Sequence, residues 1–152
     1  MNCAANIGHY NGIRGRLNSN ADLNANVTNR NTTLHIRAYR GYKDAAKPLL
    51  AKGADVTCLA SENLTPHQYA TNDGHCDVIK ELLNSKADIN AKDINGNTHL
   101  RQAYNGYTNA IKTLLSKGAD LTSLDKNNEI ALHFAAAIGH RDAIKELMNS
   151  NA

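Results

Sequence analysis

The chain has no tryptophan, one phenylalanine and two prolines in 152 residues, and aromatic residues make up only 5% of it. A broad globular core filled by large rings is therefore excluded, and the interior must come from small and branched aliphatic side chains between closely spaced elements. Three cysteines, Cys3, Cys58 and Cys76, form an odd set without C-x-x-C spacing. No disulfide framework is encoded, and a reducing, cytoplasmic setting is expected. No apolar run approaches the ~20 residues needed to span a bilayer. Nor do residues 1–12 contain an apolar core preceded by basic residues, so neither membrane contact nor a secretory leader is expected.

Charge of one sign is also scarce. The net charge of +3 and pI near 8.8 are mild, and the basic residues are interspersed with acids rather than gathered on one face, so nucleic acid is not an expected partner. G-x-S-x-G, H-E-x-x-H, the P-loop and G-x-G-x-x-G are all missing, so neither an enzyme nor a cofactor is expected.

What the chain does have is a repeat. The Ala-Asp pair returns at Ala21, Ala54, Ala87 and Ala119, with spacings of 33, 33 and 32. A glycine keeps step at Gly8, Gly41, Gly74, Gly106 and Gly139, spaced 33, 33, 32 and 33. The run from Asn63 to Ala91 shows the unit most clearly. Thr65 can cap a helix, Pro66 fits its first position, and Gly74 can end it in the left-handed conformation. Val78, Ile79, Leu82 and Leu83 then form the apolar stripe of a second helix. Each unit reads as two short helices and an extended tip.

A period near 33, carried by Thr33-Leu34-His35, Thr65-Pro66, Leu132-His133-Phe134-Ala135-Ala136, Gly74-His75, Gly139-His140 and Gly118-Ala119-Asp120, resembles the ankyrin-repeat family over essentially the whole chain. The expected fold is an all-α solenoid of about four and a half helix-turn-helix units with short extended turn tips, at about 1–26, 27–59, 60–92, 93–124 and 125–152. The resemblance implies that the histidine at His35 and His133 bonds a threonine hydroxyl and neighbouring backbone, tying units together. His67 stands where the family usually has leucine.

Irregularities are expected at three places. Gly12, Gly15 and Arg16 should weaken the first unit. Pro48, late in a second helix expected over Tyr42–Ala51, should kink or strain it. The fourth unit is one residue short, with 8 residues from Thr98 to Gly106 against 9 from Thr65 to Gly74, and the loss is expected in its first helix. A further regularity, Asn11/Arg14, Asp44/Lys47, Asp77/Lys80, Asn109/Lys112 and Asp142/Lys145, reads as the solvated face of the second helices.

Histidines and cysteines that return with the period are explained by the repeat, so no metal site is expected. The remaining function is recognition of another protein or peptide, by a chain expected to be a monomer. A targeting segment of a longer enzyme or effector is the alternative. In ankyrin-like proteins partners dock on a concave side built from the tips and the exposed edge of each first helix. By register that surface includes Tyr39, Arg40, Leu64, Asn72, Asp73, Ile94, Asn95, Tyr104, Asn105, Lys126 and Ile138. Tyr39, Arg40 and Tyr104 are the residue types that dominate binding energy, and Tyr39 and Tyr104 are expected to share one groove as anchors.

Overall fold

A computed structural model describes residues 22–26, 29–102 and 105–150. The expectations for Gly12, Gly15 and Arg16, and for Asn11/Arg14, fall outside these residues. Among the described residues there are eight α-helices and no strand. They are α1 (Thr33–Tyr39), α2 (Lys43–Ala51), α3 (Pro66–Asn72), α4 (Cys76–Asn84), α5 (His99–Gln102), α6 (Thr108–Ser116), α7 (Ala131–Ile138) and α8 (Arg141–Asn149).

Local chemistry sets the ends of these helices. Thr65 Oγ1 accepts the Gln68 N–H at 3.3 Å while Gln68 Oε1 accepts the Thr65 N–H at 2.9 Å, a reciprocal cap with Pro66 in the first turn. At the far end, Gly74 takes φ 70° and the His75 N–H returns to the Ala70 carbonyl at 2.9 Å. The same return joins Tyr42 to Arg37 and His140 to Ala135. Helices this short would not hold alone in water, so packing must stabilise them.

That packing is in two layers. The first helices α1, α3, α5 and α7 contact one another in series, and so do the second helices α2, α4, α6 and α8. Equivalent positions stack as columns: Leu49, Leu82, Leu114 and Leu147 form one, and Ala45, Val78, Ala110 and Ala143 another, all buried. Each buried leucine contributes roughly 1.5–3 kcal/mol relative to exposure, and most of that gain needs the neighbouring unit. On the opposite side Asp44, Lys47, Asp77, Lys80, Asn109, Lys112, Asp142 and Lys145 are all exposed, as expected of a solvated face. Lys112 reaches across to Glu146 of the next second helix at 3.2 Å.

α2 begins at Lys43 and continues through Pro48 to Ala51. Pro48 removes a single helical donor, and the carbonyl left over belongs to exposed Asp44, where solvent can take the bond. The short fourth unit loses its residue at the start of its first helix. Asn97 still plays the part of Leu64, each accepting a backbone N–H four residues upstream, from Asp93 and Ala60. His99, however, already meets His67, ring centroid to ring centroid at 3.8 Å. Two steps thus separate Asn97 from His99 where three separate Leu64 from His67. This register stacks Leu34, His67, His99 and Leu132 in one column, and Ile36, Tyr69, Arg101 and Phe134 in another.

Candidate interaction face

The tips and the first helices supply the candidate face, and the tips are joined through backbone. Ser61 N–H donates to the Asn29 carbonyl (3.1 Å), Ile94 N–H to Glu62 (2.9 Å) and Lys126 N–H to Asn95 (3.0 Å). Each turn is held by an aspartate or a left-handed residue. Asp93 Oδ1 accepts the N–H groups of Asn95 and Asn97, and Asp125 Oδ1 those of Asn127 and Glu129. Asn63, Gly96 and Asn128 take positive φ at equivalent places, where asparagine and glycine are tolerated. At the tip bases, Asp55 N–H donates to Asn24 Oδ1 and Asp120 N–H to Asn90 Oδ1.

Behind the tips, His35 links two units. Its Nδ1 accepts the Thr32 N–H at 3.2 Å, so the ring proton sits on Nε2 and is donated to the Leu64 carbonyl at 3.1 Å. Thr32 Oγ1 lies 3.0 Å from Nδ1. Burial lowers the His35 pKa, with only partial compensation from the backbone bonds, and keeps the ring neutral. In the third unit Gln68 takes the same role, reaching the Asn97 carbonyl at 3.4 Å. His133 repeats the inward half of the arrangement by accepting the Ile130 N–H at 3.1 Å.

On this scaffold a run of rings and cations follows the first helices. Tyr69 meets His35 edge-on at 5.6 Å and Tyr39 edge-on at 6.1 Å, and the Arg40 guanidinium lies 5.9 Å from the Tyr39 ring. One unit pair further on, Arg101 stacks over Phe134 at 4.0 Å. Such contacts contribute about 0.5–2 kcal/mol each and hold the side chains in fixed directions.

Cys58 stands close to a histidine, with Sγ 3.9 Å from His35 Nδ1. Burial raises its thiol pKa and lowers that of His35, so both move away from the thiolate–imidazolium pair that nucleophilic catalysis needs. Its Sγ is instead turned to the Asp55 carbonyl at 2.9 Å. Among the described residues no three His, Cys, Asp or Glu side chains gather as metal ligands would, and no helix is long and apolar enough to cross a membrane.

A family model of ankyrin repeats in three copies matches residues 1–93, and a second, of ankyrin repeats in many copies, matches residues 100–147. The chain belongs to the ankyrin-repeat family. Among curated ankyrin-repeat proteins it is 34% identical over 78 residues to one of fowlpox virus (strain NVSL), which covers 51% of this chain and 12% of that protein. It is 35% identical over 85 residues to the ankyrin repeat and KH domain-containing protein mask of Drosophila melanogaster, covering 55% of this chain and 2% of that protein. With human ankyrin repeat and KH domain-containing protein 1 the identity is 38% over 64 residues, 42% of this chain and 2% of that protein. The chain thus spans no more than 12% of the length of these relatives.

Within the ankyrin fold, Tyr39 and Arg40 are exposed at the end of α1, and Tyr39 retains 47% of its surface. Ile94 and Ile138 are each 49% exposed. Asn72, Asn95, Asn105 and Lys126 are exposed, while Leu64 and Asp73 are half-buried. Asn105 Nδ2 donates to the Asn72 carbonyl at 3.1 Å, joining two of the expected residues directly. Tyr104 lies outside the described residues; the aromatic neighbour of Tyr39 is Tyr69. Tyr69, Arg101 and Phe134 are missing from the surface expected from sequence. Tyr69 and Phe134 occupy the slot of Ile36 and could have been found from the period. Arg101 could not, because its register depends on where the short unit lost its residue.

Proposed function

We propose that this chain is a non-catalytic protein-binding scaffold that takes a partner protein or peptide along the face built from its tips and first helices. Ankyrin repeats generally mediate protein–protein contact, and the family is typically non-catalytic. The observation that carries the reading here is the contrast between two sides. The second helices present alternating charges, whereas the first helices present Tyr39 flanked by Arg40 and Tyr69, with Ile94 and Ile138 half exposed. Aromatic and arginine side chains fixed by their neighbours lose little entropy on binding. The proposal includes Leu64, Asn72, Asp73, Asn95, Asn105 and Lys126 as contacts around these anchors, and Tyr104 as a contact by its place in the repeat. The protein acts as a cytoplasmic monomer.

A second reading is favoured by one observation. The matched relatives are many times longer, and the names of two of them join ankyrin repeats to KH domains within one protein. On that reading the chain is a targeting segment that brings a longer enzyme or effector to its partner. Capture of partners from lysate by the wild type and by the Tyr39→Ala/Tyr69→Ala variant tests the shared premise. Loss of a specific partner with unchanged helical circular dichroism supports the face, and equal capture by both proteins refutes it.

A further inference from the structure

His67 and His99 are both fully buried, and their rings meet at 3.8 Å, inclined by 53°. They occupy the column that holds Leu34 and Leu132 in the flanking units, so two imidazoles replace two leucines at the junction of the third and fourth units. No ring nitrogen of either residue meets a hydrogen-bond partner of ordinary geometry among the described residues; the Ile89 carbonyl lies close enough to His99 to favour its charged form slightly. A buried polar ring without a full set of partners costs stability in its neutral state and more when charged.

We propose that the His67–His99 contact is an acid-labile joint: proton uptake by either ring parts α3 from α5, opens the array there and divides the candidate face in two. The surroundings offer no compensating charge. The buried or half-buried titratable and charged groups on or beside the packed elements are Tyr69 and Asp73 at α3, His35 and Arg37 on α1, Cys76 and Glu81 on α4, and Arg101 on α5. α6 and α7 add exposed Lys112 and His133. None of these offsets burial at His67, which alone pushes its pKa from 6.5 down to about 3. At His99 burial acts first and a charge on His67 second, both downward. Between pH 6.5 and about 3 the unfolded chain therefore binds more protons than the folded one. The joint is intact above pH 6.5 and is lost as the pH falls below it.

The test uses the full chain and amide exchange by NMR, corrected for intrinsic rates, at pH 7.5 and 5.5. In the wild type the opening equilibrium of α3 and α5 should rise by roughly tenfold per ring over that range, about a hundredfold for both, and α8 should change less. His35→Gln, which removes the remaining buried imidazole among the described residues, should keep this response. His35→Gln with His67→Leu and His99→Leu should abolish it. The proposal is overturned if the leucine variant responds to pH as the wild type does, or if wild-type α3 and α5 keep their protection at pH 5.5. Should the leucine variant fail to fold, the wild type alone still decides. Ring resonances of His67 and His99 that titrate near 6.5 while α3 and α5 stay protected would sink the idea.

Discussion

The His75 ring fills the space that a side chain on Gly41 would need: a Cβ there would stand 2.5 Å from His75 Nδ1, and Nε2 of the same ring lies 3.0 Å from the Tyr39 carbonyl. The arrangement returns with Tyr107 against Gly74 and, less tightly, His140 against Gly106. Gly41, Gly74 and Gly106 are thus each also the seat for a ring from the following unit. Gly41→Ala should cost about 3 kcal/mol, combining left-handed strain with overlap against the ring. Gly53, with φ 86° and nothing within 4 Å of its hypothetical Cβ, provides the comparison. Gly53→Ala should cost only about 1 kcal/mol. Urea unfolding of the two variants checks this, and equal losses would contradict the seating.

Lys86 adopts φ 69° at the end of α4, where Gly53 and Gly118 stand after α2 and α6. A lysine there bears steric strain that glycine would not. Lys86→Gly should stabilise the protein by about 1 kcal/mol, with the greater freedom of the unfolded glycine already deducted. The shift in urea midpoint at unchanged slope measures it.

The third unit has already carried out a substitution that can be copied in the second. Gln68 accepts its own cap N–H and donates to the next tip carbonyl, as His35 does. His35→Gln should therefore lose less than about 1 kcal/mol, and His35→Ala about 2–3, since it strands the Thr32 N–H and leaves the Leu64 carbonyl with the Ala60 N–H alone. Thermal unfolding at pH 7.5 separates the two, and a glutamine variant as weak as the alanine one would disprove the equivalence.

Pro48 leaves one bond unmade in α2 without ending it. Pro48→Ala should restore the bond to the Asp44 carbonyl and stabilise by roughly 1–3 kcal/mol. Unfolding free energy is the readout, and a loss would mean that the half-buried ring packs more favourably than it hinders.

The sequence was most informative where one residue type answers to one backbone need. Gly41, Gly74 and Gly139 marked the ends of first helices, Thr65-Pro66 marked a start, and the Asp44/Lys47 series marked the wet side, because these signals are local. Pairings between units were less legible. Tyr39 and Tyr69 are 30 positions apart, and their contact depends on how adjacent helices are set against each other. The same limit hid the His67–His99 pair. Only the register across the shortened unit brings those rings together, and no periodicity reveals where a single residue has been dropped.

The tips bear on mechanics as well. Between neighbouring tips the backbone is fastened by one bond at each junction, Ser61 to Asn29, Ile94 to Glu62 and Lys126 to Asn95, whereas the helices behind them interlock through whole columns of aliphatic side chains. Bending that spreads the tips strains few bonds, and bending that compresses the second helices meets closely packed matter. The molecule is therefore a leaf spring with one compliant side, free to widen its span around an object without unthreading the layers that hold it together.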